Sequence, residues 1–214
     1  MNVFSIFGRY RTPGGPDVDQ AAGATKDGSV QVAQGQSPYE EITRRGQLWS
    51  TMTTAAVAAL VVRPSTVAAL EVWNGYPAGG PSLVVDRVMA FNLVSTAVNS
   101  NASLWAMVTM PKATPALTAL VVNSHIGKQF ITPLLGGQIV TGAGTTVIDN
   151  GWFPWGANYL GPNAAAPGGG FDAQVSGRLI APPGCSICVQ VVASIVGDTF
   201  TEGASWYLKQ LDLQ

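Results

Sequence analysis

The chain has 214 residues, of which 47% are hydrophobic and 11% charged, and its formal net charge is -1. This composition excludes a disordered polar chain and a coiled coil, and the balance of 11 basic against 12 acidic residues argues against a nucleic-acid binder that works by charge. The 25 glycines and 14 prolines instead indicate a β-rich domain with many turns.

The charges are concentrated near the N-terminus. Residues 1–45 carry ten of the 23 charged residues, five of each sign, so the remaining 169 residues are only about 8% charged. A soluble monomer usually covers its core with more charge than that. Two interpretations stay open: a monomer whose surface is built from uncharged polar residues, or a subunit whose surface is covered by other subunits.

Residues 1–46 are predicted to form an N-terminal arm. The stretch up to residue 36 is rich in Gly, Pro, Ala, Asp and Gln, which indicates an extended segment. Phe4, Phe7 and Tyr10 lie near its tip, and apolar residues there suit docking on a neighbouring subunit. The alternative is a disordered tail.

The arm is predicted to end in one short helix over residues 38–45. Ser37 can act as the N-cap, Pro38 suits the first helical position, and Glu40 would complete a capping box. Gly46 then suits the C-terminal end of the helix.

From residue 47 to residue 214 the pattern changes to strands separated by turn residues. The predicted strands are 48–62, 67–73, 83–96, 103–110, 117–122, 128–132, 138–140, 145–152, 174–180, 185–196 and 200–211, with a long loop over 154–170. There is no alternation of strands with helices, so the chain is predicted to be all-β. The spacing favours a two-sheet β-sandwich of the jelly-roll kind, with the final hairpin as its most secure part.

Catalytic chemistry is not indicated. His125 is the only histidine, no nucleophile-elbow motif is present, and the acidic residues are scattered. Cys185 and Cys188 form a C-x-x-C, but residues three apart in a strand point to opposite faces, so both are predicted to be small core residues. We therefore expect no enzyme activity, no cofactor and no metal site.

No membrane span or signal peptide is predicted. The longest apolar run is Ala55–Val62, whereas a spanning helix needs about 20 residues. The first ten residues contain no positive leading region and are interrupted at Gly8 and Arg9. Synthesis in a cytoplasm is the expectation.

The aromatic residues are the more suggestive feature. Trp152, Phe153 and Trp155 cluster before the predicted loop, and Trp73 and Tyr76 flank another loop. Exposed rings of this kind can stack on sugars. The alternative is that they close the ends of the sandwich or lie in a subunit interface.

Three stretches carry a resemblance to a known class of protein. They are Leu70–Gly75, Asp86–Phe91, and the ending that runs from Leu179–Gly184 to Ser205-Trp206-Tyr207. Together with the plentiful Ala, Gly, Thr and Val, residues 47–214 resemble small phage structural proteins with a jelly-roll-like β-sandwich. Such proteins build, decorate or extend virions, commonly as trimers or pentamers, which is an inference at the level of the fold.

The sequence hypothesis is therefore a non-enzymatic virion structural protein, located in the virion, with a capsid or capsid-decorating role. Its expected partners are copies of itself, as a trimer or higher assembly, and other virion proteins; direct binding of nucleic acid or membrane is not expected because the arm is neutral. Two alternatives remain: a carbohydrate- or host-surface-binding module of a phage tail or spike, and a non-viral surface filament subunit.

Overall fold

The computed structural model describes residues 7–11, 17–21, 39–44, 46–95, 100–113, 115, 120–126, 129–131, 139–160 and 169–211. The chain forms two compact units, residues 1–40 and residues 41–214. No helix in these described ranges is both long and apolar enough to cross a membrane.

The first unit contains one antiparallel strand pair, Phe7–Arg11 (β1) and Asp17–Ala21 (β2). The register pairs Arg9 with Asp19 and Arg11 with Asp17. Phe7 and Tyr10 of the predicted arm tip lie on β1. Phe4 lies outside the described residues.

The predicted helix is present but shorter, from Glu40 to Arg44 (α1). Tyr39 has a left-handed φ of 69°, so the helix begins after it, and the predicted capping box with Glu40 at its third position is wrong. Ser37 and Pro38 lie outside the described residues. The predicted end at Gly46 is confirmed, because its φ of 68° suits glycine and its N–H bonds to the Thr43 carbonyl at 2.8 Å.

Thirteen strands are described in the second unit. They are Leu48–Met52 (β3), Val57–Ala58 (β4), Val67–Asn74 (β5), Ser82–Val94 (β6), Ser100–Val108 (β7), Val121–Asn123 (β8), Gln129–Ile131 (β9), Ile139–Thr146 (β10), Phe153–Leu160 (β11), Gly170–Gln174 (β12), Ile180–Ala181 (β13), Ser186–Ala193 (β14) and Thr199–Lys209 (β15).

These strands form two antiparallel sheets. The five-stranded sheet has the order β10-β5-β14-β7-β11. The eight-stranded sheet has the order β12-β6-β15-β3-β8-β9, with β13 also paired to β6 and β4 also paired to β15.

The strand pairs are nested. Strand β3 pairs with the last strand β15, β5 pairs with β14, β6 with β12, and β7 with β11. A long antiparallel hairpin that is rolled up produces this order, which is the jelly roll. The predicted all-β, two-sheet sandwich is therefore confirmed.

The chain between β7 and β11 is an insertion into the roll. It supplies β8 and β9, which extend the eight-stranded sheet beyond β3, and β10, which extends the five-stranded sheet beyond β5. Both sheets are thus widened on the same side of the sandwich. On the opposite side the sheets end at β11 and β12, the two strands that immediately follow the insertion.

The core lies between the sheets and is densest at β14 and β15. Ile187, Val189 and Val191 point inward from β14, and Phe200 and Trp206 point inward from β15; all five are fully buried. Inward side chains recur at every second position from Ile187 to Ala193, as predicted, but the strand ends at Ala193 and Ile195 lies in the bend that follows.

Three predicted strands and the predicted long loop are placed differently. The segment 48–62 splits into β3 and β4, and 145–152 contains only the end of β10. The predicted loop 154–170 contains β11, and 174–180 is mainly the turn between β12 and β13. Strand β11 escaped prediction because it holds Pro154 and Gly156; both are tolerated there, since β11 is an edge strand with a bulge between them.

Candidate functional site

The outer face of the five-stranded sheet is covered by residues 147–152, which we call the strap. The Val147 N–H bonds to the Thr66 carbonyl at 2.9 Å, and the Trp152 indole N–H bonds to the Ser65 carbonyl at 3.0 Å. The strap buries a second small hydrophobic cluster, separate from the main core, formed by Ala68, Met107, Val147, Trp152 and Cys188.

An ion pair fastens the strap at the surface. Arg63 donates to both carboxylate oxygens of Asp149, at 2.7 and 3.2 Å. The Arg63 guanidinium, helped by the Gly151 N–H, lowers the pKa of Asp149 to about 2. Asp149 is therefore charged across the physiological range and holds the strap to the segment before β5.

A second ion pair on the same sheet is buried. The Glu71 side chain is fully buried and contacts the ammonium group of Lys112, which is itself 14% exposed. No described residue donates a hydrogen bond to Glu71 Oε2. Cys188 is opposite Glu71 in the sheet, and burial, with the Glu71 carboxylate as a second cause, raises its pKa well above the usual range. This thiol is accordingly inert rather than reactive.

The eight-stranded sheet differs, because its outer face carries an open groove of about 490 Å³. Four apolar residues line it, namely Leu48, Met52, Met89 and Val121, and its polar lining residues are Ser50, Thr51, Asp86, Arg87, Asn123, His125 and Ser205. Gly203 of β15 leaves room for two methionines on this face, since a Cβ there would lie 3.1 Å from Met89 Cγ and 3.2 Å from Met52 Cε.

Three of the seven polar residues that line the groove are engaged within the chain by their side chains. Thr51 donates to the Val121 carbonyl at 2.9 Å, and Arg87 pairs with Asp172 at 2.7 Å. The Asn123 side chain accepts the His125 backbone N–H, which holds His125 at a left-handed φ of 58°. A specific small-molecule site needs several free polar groups that converge on the ligand. The groove is more suited to contact with apolar groups.

The five aromatic residues singled out from the sequence do not share one surface. Trp73 and Trp152 are buried, and each indole N–H bonds to a backbone carbonyl. Tyr76 is half-buried against the main core, and burial raises its pKa. These three residues therefore serve packing.

Phe153 and Trp155 are brought together. Their rings meet edge to face with centroids 5.7 Å apart, and the Arg178 guanidinium lies 4.8 Å from the Trp155 ring centroid. Trp155 is thereby half-buried, while Phe153 remains 61% exposed. Of the five aromatic residues, Phe153 is the one with an open ring.

Strand β11 carries a further exposed ring that the sequence did not single out. Tyr159 is 59% exposed, and Ala157 and Asn158 beside it are also exposed. The strand contains no charged residue. The signal was concealed by Pro154 and Gly156, which made residues 154–170 look like a loop.

The acidic side chain of Glu202 is fully buried. Glu202 on β15 faces the core and accepts the Val191 N–H at 3.1 Å, while its other oxygen has no described donor. Burial raises the pKa of Glu202 to about 8. A protonated carboxyl here is the consequence of its dry surroundings, and Glu202 is not accessible to a substrate.

Metal-ligating and nucleophilic residues are dispersed over the described ranges. They contain no group of three His, Cys, Asp or Glu residues that could hold a metal ion. Cys185 packs in the main core and Cys188 in the cluster under the strap, so the two thiols lie on opposite sides of the five-stranded sheet, as predicted.

No family model, no curated protein and no solved structure matches the chain. The jelly-roll strand order and the surfaces described above are consequently the basis for any statement about function.

Proposed function

We propose that the chain is a non-enzymatic structural subunit of a virion, with a capsid or capsid-decorating role, that associates with copies of itself. The observation that carries the proposal is the character of the surface of the body. Seven large apolar side chains are at least half exposed among the described residues: Val61, Val62, Met110, Ile148, Phe153, Tyr159 and Val196. Surfaces of this kind with little charge are typical of protein interfaces.

Three of these apolar side chains lie near one ion pair. Val61 and Val62 precede Arg63, and Ile148 precedes Asp149, so the Arg63–Asp149 ion pair brings the three apolar side chains to one region. The two charges neutralise each other there. A neighbouring subunit can cover this region without leaving an unpaired charge.

The N-terminal unit supports the proposal in a second way. Its described strands have Arg residues opposite Asp residues, so it presents no excess of positive charge with which to neutralise a genome. We propose that it reaches a neighbouring copy and adds contact area after the sandwich bodies have met. Other virion proteins are the further partners.

Light scattering of the purified full chain, over a roughly hundredfold range of concentration, tests self-association. The expected result is a mass that is a multiple of 22.2 kDa, with fewer copies per particle for a matched chain starting at Pro38. A mass of one copy at every concentration for both chains, which is 22.2 kDa for the full chain, would contradict the proposal.

A carbohydrate-binding module of a tail or spike is the second candidate, favoured by the open ring of Phe153, which contacts Trp155. It expects glycan-array binding that is lost in Phe153→Ala and retained in Val196→Ala, a control at a position that is also exposed. Binding that is absent in the native chain, or unchanged in both variants, excludes this candidate.

A further inference from the structure

Strand β11 is one edge of the five-stranded sheet, whose other edge is β10. It is hydrogen-bonded to β7 on one side, and in the described part of the sheet no strand lies on its other side. An edge strand presents backbone N–H and C=O groups that can pair with another chain. Soluble proteins usually protect such an edge with charges, prolines or bulges.

Protection is present only at the beginning of this strand. Pro154 lacks an N–H, and the register shifts between Pro154 and Gly156. From Trp155 to Tyr159 the strand has neither a proline nor a charge. The unprotected half is also the half whose side chains Ala157, Asn158 and Tyr159 are exposed.

One hydrogen bond shows which backbone groups point outward. The Tyr159 N–H bonds to the neighbouring side chain, Asn158 Oδ1, at 2.9 Å, so it is outside the ladder with β7. Alternate residues of an antiparallel strand direct their backbone groups to the same side. Ala157, two residues before Tyr159, therefore also directs its backbone groups to the free edge.

We propose that β11 pairs with β11 of a second copy, antiparallel about a two-fold axis at Ala157, and joins two five-stranded sheets into one of ten strands. This inference rests on the proposed self-association and names the surface that performs it. In this register Ala157 lies opposite its own copy, and Tyr159 lies opposite the partner's Trp155. Each copy contributes the same outward-facing groups, as a two-fold interface requires.

The charges near the axis favour a second copy as the occupant. Two-fold pairing brings a residue close to its own copy, so a charge on the strand would meet a like charge. Strand β11 has none. On β12, the edge of the other sheet on the same side of the sandwich, the one charge is Asp172, and it is paired with Arg87 at 2.7 Å. Neither β11 nor β12 therefore carries a net charge that would repel the same strand of a second copy.

Cysteine cross-linking of the full chain tests the register. Ala157→Cys places two thiols opposite each other at the axis, within the Cα separation of about 4.4–6.8 Å that a disulfide spans. Mild oxidation should give a covalent dimer on a non-reducing gel. The control Val196→Cys lies on a loop and is more exposed, at 76%, and should not cross-link; Cys185 and Cys188 are buried.

A charge at the axis gives the second measurement. Ala157→Lys should weaken association at least tenfold by light scattering, while Ala55→Lys, the same change at an exposed position between β3 and β4, should leave association unchanged. Wild-type association that persists in Ala157→Lys, with no disulfide in Ala157→Cys, overturns the pairing and leaves self-association standing. A wild-type chain that is monomeric throughout overturns both.

Discussion

The two outer faces of the sandwich differ in how they are finished. The face of the five-stranded sheet is closed by the strap, which buries Trp152 and forms its own small hydrophobic cluster. The face of the eight-stranded sheet is open and carries the groove around Gly203. Each face also has an ion pair, and only the one on the closed face, Glu71–Lys112, is buried. The same strand geometry therefore produces two different environments, and what covers the sheet decides between them.

Replacing Trp152, which anchors the strap, should have the largest effect on the difference between the two faces. Trp152 is 4% exposed, so Trp152→Ala should lower the free energy of unfolding by about 3–5 kcal/mol through lost burial and a cavity. Urea unfolding measures the change. The adjacent exposed ring is the control: Phe153→Ala should cost less than about 1 kcal/mol. Equal costs for the two variants would mean that the strap does not close the face.

The buried ion pair Glu71–Lys112 and the exposed ion pair Arg87–Asp172 give the next comparison. Lys112→Met leaves Glu71 buried without its cation, and the loss of stability should be about 3 kcal/mol. Arg87→Met breaks the pair with Asp172, whose side chains are 39% and 50% exposed, and should cost about 0–1 kcal/mol. Denaturant midpoints measure both. If Arg87→Met proves as costly as Lys112→Met, the open face is not solvated as the groove implies.

Glu202 lies between the two sheets, away from both outer faces, and its pKa reflects the absence of water there. The pKa of Glu202 is about 8 in the folded chain, against an ordinary value of about 4.3 in the unfolded chain. Below the lower value both states are protonated and stability is at its full level. As the pH rises towards 8 the unfolded state releases a proton that the folded state keeps, so stability falls by about 1 kcal/mol per pH unit.

Glu202→Gln should remove most of that decline, because the amide does not titrate. Thermal unfolding between about pH 5 and about pH 8 compares the variant with the native chain, because in this window the unfolded carboxyl is ionised while the folded one keeps its proton. Glu40→Gln, at an exposed position, should follow the native profile. A native stability that stays level over this window would refute the dry position of Glu202.

A substitution at Gly203, beside the two methionines of the groove, should have the smallest effect on stability. In Gly203→Ala the new Cβ would lie 3.0 Å from the Thr51 carbonyl oxygen and close to Met52 and Met89, so stability should fall by about 1–2 kcal/mol through crowding. Gly156→Ala is the control, since its nearest neighbour is Ala173 Cβ at 3.9 Å. Chemical denaturation is the measurement, and a neutral Gly203→Ala would show that both methionines move aside freely.

Much of the fold follows from local patterns. Strands β14 and β15 were predicted because apolar residues alternate strictly over 185–196 and recur around Trp206, and a strand in a sandwich buries every second side chain. Gly46 was predicted to end the helix because a left-handed residue there favours glycine. Signals of this kind involve residues that are close together in the chain, so they can be recognised from the sequence alone.

The surfaces were not predictable in the same way. Pro154 and Gly156 made β11 look like a loop, and they are tolerated only because the strand lies at an edge, which is a property of the sheet order. Trp152 and Phe153 are adjacent and looked equivalent, yet one is buried under the strap and the other is exposed. Their difference depends on Ser65, which is 87 residues distant.

The sequence by itself thus determined the all-β class, the two-sheet sandwich and the low charge of the body, because alternation and composition are local quantities. Tertiary structure alone decided which outer face is closed, that Glu71 meets Lys112, and which strands lie at the sheet edges. Those outcomes depend on contacts between segments far apart in the chain, where burial removes water and converts an ordinary carboxylate or ring into a buried one.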